Sequence, residues 1–322
     1  MIIHKGKIME KNAELYDFTQ NLQGTVFYAA FVIHASDEDK ALWQDRPAIM
    51  NIRRGYAESP GWMMVQALEF TPEPLSIERF RRRAIYSAPK LSLAILELLA
   101  SEKYLDRIGD EYHLTKAGKA AANKNTLFRI KAFEGFEPIP ITETEKLETL
   151  MRRIIDASLE ADNLPDTWCI THSRNRAPDD HVSALAKIVQ YGGDFNAIRD
   201  DAHMAAYGVY DIRGHVWEAF SYLASEQAKS AADLYEQLAY RGFYTEDWQA
   251  ALNELLDRDW LKKTGQSYSI TDTGRSVKAD VEQKTNEYFY SSWSVLSDKE
   301  FDELIMIMQR LYEACRALTP QN

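Results

Sequence analysis

Residues 96–119 read LELLASEKYLDRIGDEYHLTKAGK, and residues 252–275 read LNELLDRDWLKKTGQSYSITDTGR. At one constant offset, without a gap, Leu96, Leu99, Leu105, Gly109, Tyr112, Thr115 and Gly118 fall on Leu252, Leu255, Leu261, Gly265, Tyr268, Thr271 and Gly274. Tyr104 meets Trp260, Leu114 meets Ile270, and Lys119 meets Arg275. Each copy predicts the end of a helix, a strand, a turn at the glycine, a returning strand and a new helix. Glycine suits the turn because a positive φ is cheap only there. Tyr112 and Leu114, like Tyr268 and Ile270, are two apart and so share a strand face. Thr115 and Thr271 stand where an N-cap belongs.

Working outward, the repeat extends upstream more weakly. WMMVQAL, 62–68, pairs with WEAFSYL, 217–223, and LSIERFRRR, 75–83, with ADLYEQLAY, 232–240. Both pairs carry apolar residues at helical spacing. Ser87, two residues before Pro89, and Thr245, directly before Glu246 and Asp247, are expected to cap helices over 88–102 and 246–258. Three helices and a two-stranded wing, twice, predict a mostly α (α+β) protein. The expected architecture is two tandem winged helix-turn-helix repeats with flanking helices.

Among the flanking segments, residues 12–35 carry a helical stripe through Leu15, Phe18, Leu22 and Phe27. GFEPIPI, 135–141, reads as an extended linker. The expected domains are therefore 1–134, a helical segment plus winged helix, and 142–322, a second such pair with an amphipathic C-terminal helix. Thr142 with Glu145 and Ser297 with Glu300 form capping-box patterns. Phe301, Leu304, Ile305, Met308, Leu311, Tyr312 and Cys315 make one apolar stripe, which must cover either the body of the chain or a partner subunit in a homodimer.

The chain has 322 residues, ample for two domains, and a net charge of −11. That balance opposes nucleic-acid binding unless positive charge is concentrated locally, because phosphate neutralisation carries most of the affinity. No apolar run is long enough for a membrane span, and the first residues lack a leader pattern, so a cytoplasmic protein without membrane contact is expected. Cys169 and Cys315 lack metal or redox spacing and read as reduced thiols.

In DNA-binding winged helices the third helix enters the major groove and the wing touches backbone. In the first copy, Ser87, Lys90 and Ser92 are the candidate groove contacts, with Arg79, Arg81, Arg82 and Arg83 as a phosphate patch and Arg107 on the wing. The same arginines also fit a solvated face paired with surplus carboxylates. The second copy opens its third helix on Glu246 and Asp247, which favours the helix dipole and disfavours phosphate, while its wing holds Lys262 and Lys263.

Residues 163–215 hold His172, His181, His203 and His215 together with Asp179, Asp180, Asp200 and Asp201. His172, Arg199, Asp201 and His203 are the candidate ligand-binding set. Three readings stay open: a structural polar cluster, a ligand pocket between helices, and a divalent-metal site. No HExxH, G-x-S-x-G, P-loop or G-x-G-x-x-G pattern occurs, so no catalytic residue and no cofactor is expected.

The run ITDTGRSVKADVEQKTNEYFYSSWSVLSDKEFDEL resembles the C-terminal part of SalK-like winged-helix proteins at Thr271, Gly274, Arg275, Val281, Glu282, Thr285, Asn286, Trp293 and Leu296. The string Arg199-Asp-Asp201-Ala-His203-Met-Ala205-Ala206 is similar to that family's Arg-x-Asp-Gly-His-x-Ala-Ala, with Ala202 in place of the glycine. The resemblance covers about residues 199–310, and both wings resemble MarR-type modules in general form. It implies a regulator, with Arg199, Asp201 and His203 acting together. The leading expectation is a double-stranded-DNA-binding transcriptional regulator, responsive to a small-molecule effector. The alternative is a small-molecule-binding protein or enzyme that uses the winged helices as scaffold around an Asp201/His203 pocket.

Overall fold

A computed structural model describes residues 12–44, 60–161, 164–179 and 181–319. In chain order its helices and strands are α1 Ala13–Tyr28, α2 Asp37–Gln44, α3 Pro60–Glu69, α4 Ile77–Arg81, α5 Pro89–Ser101, β1 Leu105–Ile108, β2 Glu111–Leu114 and α6 Lys116–Lys131. They continue as α7 Ile141–Leu159, α8 Trp168–Arg174, α9 Ala184–Gly208, α10 Gly214–Ala224, α11 Ala231–Gln237, α12 Thr245–Asp257, β3 Leu261–Thr264, β4 Ser267–Ile270, α13 Asp272–Ser291 and α14 Asp298–Leu318. The described chain is mostly helical, and its strands form two antiparallel hairpins.

The chain gathers into two compact units, neither continuous in sequence. One draws on Met1–Arg46, Asn123–Ala202 and Asn286–Asn322, the other on Pro47–Ala122 and His203–Thr285. This grouping differs from the chain-order division expected at 135–141. Both copies of the repeat fall in the second unit, where they touch each other.

Within that second unit the two copies agree atom for atom at their ends. Leu105 pairs with Leu114 and Leu261 with Ile270, at the same register position of each hairpin. Gly109 has φ 63° and Gly265 φ 62°, as the turn requires. Thr115 Oγ1 accepts from Gly118 N–H at 3.0 Å, and Thr271 Oγ1 accepts from Gly274 N–H at 3.0 Å. The same hydroxyls donate to the carbonyls of Lys103 and Asp259 at 2.8 and 2.6 Å. Those two residues hold φ 65° and 57°, a left-handed conformation that closes the preceding helix. A Cβ on Gly118 or Gly274 would strike the carbonyl of Tyr104 or Trp260, so both glycines are required by close approach.

Several helix starts differ from expectation. Ala88 and Tyr244, not Ser87 and Thr245, precede α5 and α12. Tyr244 N–H is held by the Asp247 carboxylate at 2.8 Å. α7 begins at Ile141 because the Pro140 carbonyl accepts from Glu143 and Thr144, so Thr142 lies inside the helix and its capping box does not form. The Ser297–Glu300 box does form, with Ser297 N–H 2.9 Å from the Glu300 carboxylate. Ser76 and Ser230 cap α4 and α11, a matched pair beyond those expected above, for which Ser230-x-x-Asp233 carries a signal in the sequence.

In the first unit Leu15, Phe18 and Leu22 of the α1 stripe are buried, whereas Phe27 is half-buried and its neighbour Val26 takes the core position. The α14 stripe is covered by its own chain: Leu304, Ile305, Met308, Leu311 and Cys315 are buried, with α1 and α7 as the neighbouring helices. The homodimer surface expected on this stripe is therefore already occupied. No helix among the described residues is long and apolar enough to cross a membrane.

Candidate functional site

The expected groove-reading elements are the first turns of the helices that precede the two hairpins, α5 and α12. In this chain the first turn of α5 is engaged by the other copy. Ala88 N–H donates to the Arg241 carbonyl at 2.8 Å. The Lys90 ammonium lies 3.3 Å from the Tyr244 ring centroid. Leu91 is buried against Gly242, which has φ 77° and so leaves room at the crossing. Reciprocally, Gly214 at the start of α10 sits on the Ile85 carbonyl, where a Cβ would collide.

The fastener of this pairing is Arg241. Its Nε and Nη2 donate to Glu218 Oε1 at 3.1 and 2.7 Å. Its guanidinium lies 5.3 Å over Tyr86 of the first copy and 5.0 Å over Tyr240. Glu218 is 8% exposed; burial raises its pKa, and Arg241 opposes that rise. Nearby, burial pushes His215 down to about 4, with Arg213 adding to the effect, and its ring stacks on Phe243 at 4.4 Å.

The expected DNA contacts fare unevenly in this setting. Ser87 and Ser92 are fully buried and present nothing to a duplex. Arg79 pairs with Glu73 at 3.1 Å and donates to the Pro74 carbonyl. Arg83 donates to Gln66 at 3.3 Å, and Arg107 pairs with Glu97 at 2.6 Å. Arg81, Arg82 and Lys90 are exposed. The first hairpin carries Asp106, Asp110 and Glu111 beside Arg107, whereas Lys262 to Ser267 of the second are all exposed and include no carboxylate.

The polar candidates divide between the units. In the first unit Asp201 is 2% exposed and its carboxylate accepts from the N–H groups of Cys169 and Ile170 at 2.8 and 3.0 Å, capping α8. Burial raises its pKa and these two donors pull against the rise. Arg199 donates to Asn286 at 3.0 Å and lies 4.5 Å over the Tyr16 ring. His172 Nδ1 is 2.7 Å from the Trp168 carbonyl, and its ring stacks on that indole at 4.1 Å.

In the second unit His203 belongs to a directed chain of hydrogen bonds. Trp217 Nε1–H donates to His203 Nε2 at 2.9 Å, so that nitrogen carries no proton. The proton therefore sits on Nδ1 and donates to Thr285 Oγ1 at 3.1 Å, and Thr285 passes its own proton to the Val281 carbonyl at 2.7 Å. This tautomer satisfies both Trp217 and Thr285. Asp201 and His203 thus serve different neighbours. Among the described residues no group of three or more His, Cys, Asp or Glu side chains is placed to hold a metal ion.

Residues 172–319 match the model of a helix-turn-helix family. The matched stretch runs from within α8 to the end of α14 and includes the second copy of the repeat but not the first. No curated protein matches the chain. A helix-turn-helix segment points toward a DNA-binding regulator in general terms.

Proposed function

We propose that the chain is a DNA-binding regulator built on two winged helices of the MarR and SalK-like kind, and that it grips duplex backbone through its wings rather than reading bases through its third helices. The observation carrying this reading is the contrast between the second hairpin and the two helix starts. Lys262 and Lys263 stand exposed on a hairpin without a carboxylate, while the first turn of α5 is engaged by Arg241 and Tyr244. The first turn of α12 carries Glu246 and Asp247. Arg81 and Arg82, both exposed, are the first copy's candidate phosphate contacts. Binding of this kind tolerates many sequences and weakens steeply with salt.

The test is titration of a random duplex at low salt, repeated as salt is raised. Replacing Lys262 and Lys263 by alanine removes two phosphate contacts, and the slope of log affinity against log salt falls by about 2. Absence of binding to any duplex at low salt refutes the proposal. A second reading, in which the paired modules act only as a scaffold, is favoured by the engaged α5 terminus. It predicts that outcome, together with unchanged folding of the Lys262/Lys263 variant.

A further inference from the structure

The first unit contains a half-open cavity of about 370 Å³ whose wall is rich in cations. α7 supplies Glu148 and Arg152, α8 supplies Arg174, and α9 supplies Lys187 and Tyr191, with Pro178 closing one side. Lys187 and Tyr191 are four apart, so one face of α9 presents both. The size is within the range of small-molecule sites.

The acidic groups at this wall are already committed to it. Tyr191 O–H donates to Glu148 at 2.8 Å, and Arg152 Nε lies 3.4 Å from the same carboxylate. Asp194, fully buried beneath, takes Arg174 Nη1 at 2.6 Å, Ser173 Oγ at 2.6 Å and Gln190 Nε2 at 3.1 Å. A guanidinium carries five N–H donors, and Asp194 uses one of Arg174's. That buried anchor fixes the guanidinium, whose centre lies 5.6 Å from the Tyr191 ring. Pro178 also borders a smaller hollow of about 40 Å³, lined by Ile130, Phe133, Ala186 and Val189 together with Arg176 and Gln190. Past Pro178, the basic chamber is therefore followed by a hollow of mixed lining with four apolar side chains on its wall.

We infer that this cavity is a binding site for a small oxyanion, a carboxylate or phosphate head held by Arg152, Arg174 and Lys187, with a short apolar tail directed past Pro178. The assignment rests on the cavity alone, and its test uses no DNA, so it stands or falls separately from the regulatory reading. Isothermal titration calorimetry on the full chain with inorganic phosphate, acetate and hexanoate separates head from tail. Expected are saturable binding of phosphate and hexanoate, and weaker binding of acetate. The double variant Arg152→Gln/Lys187→Gln weakens both ligands by roughly tenfold or more, while Lys187→Arg retains them. Arg152 is exposed and Lys187 half-buried, and an unchanged circular dichroism spectrum confirms that the double variant is folded. No saturable heat with any of the three anions overturns the site. Binding that survives unchanged in the folded double variant overturns the placement of the head, and equal affinity for acetate and hexanoate overturns that of the tail.

Discussion

Replacing Arg241 by alanine tests the buried ion pair with Glu218 that positions the Arg241 guanidinium over Tyr86 of the first copy. Arg241 and Glu218 are paired at 2.7 Å with side chains only 19% and 10% exposed. Glu218 Oε2 is buried and has no hydrogen-bond partner, so the carboxylate depends on Arg241 alone. Removing one member of a buried ion pair leaves the other uncompensated, and the expected loss in stability is about 3–5 kcal/mol. The stacking on Tyr86 and Tyr240 goes with it. Urea unfolding followed through the buried Trp217 and Trp248 reports on this unit. The double replacement Glu218→Leu/Arg241→Met removes both charges and is expected to lie well above Arg241→Ala in stability. The acid response has a definite sign. With Arg241 gone, burial alone governs Glu218 and its folded-state pKa rises further above the 4.5 of an exposed glutamate. A raised carboxylate pKa gives stability that is full below the unfolded value and is lost as pH rises through the folded one. The Arg241→Ala penalty therefore shrinks on acidification. A loss below about 1 kcal/mol, the range of exposed pairs, or a penalty independent of pH, refutes the buried-pair reasoning.

Two further predictions follow from the same unit. His215, lowered to about 4 from 6.5, contributes stability that is present above pH 6.5 and lost as pH falls through about 4. Relative to His215→Phe, which keeps the stack on Phe243, the wild type should lose up to about 3 kcal/mol across that window in pH-dependent urea unfolding. Equal acid sensitivity of the two proteins counts against it. Thr115→Val and Thr271→Val each remove a helix cap together with the hydroxyl's hydrogen bond to the left-handed residue before the wing. Each should cost about 1–2 kcal/mol, and the two should be similar because the geometry is repeated; thermal melts showing one cap neutral and the other costly would break the equivalence.

Much of the fold was legible in the chain because its determinants are local. A glycine at a tight turn, a threonine three residues before a glycine and leucines at helical spacing act within a few residues of one another. The α14 stripe was legible as apolar, but what covers it depends on α1 and α7, far away in sequence. Helix starts were missed where backbone geometry outweighed side-chain preference, as at Pro140 and Ala88.

The candidate site was less legible for a related reason. Arg79 and Arg107 fitted either phosphate contacts or partners for surplus carboxylates, and only the fold shows that Glu73 and Glu97 lie close enough to pair with them. Asp201 and His203, two apart on α9, left a structural cluster, a ligand pocket and a metal site all open, because spacing alone does not say which neighbours they meet: one caps α8 and the other receives Trp217. The cavity with Arg152, Arg174 and Lys187 draws on three helices and has no contiguous signature.

By itself, the sequence determined that one structural unit occurs twice, and where its turn, cap and close glycine contact lie, because those interactions are short-range. Only the tertiary structure decided that the two copies of the repeat meet within one unit at Arg241, Tyr86 and Gly214. Contact between segments so distant in the chain depends on packing that no local pattern encodes, and it is this packing that places the α5 terminus against the other copy and leaves the second hairpin in solvent.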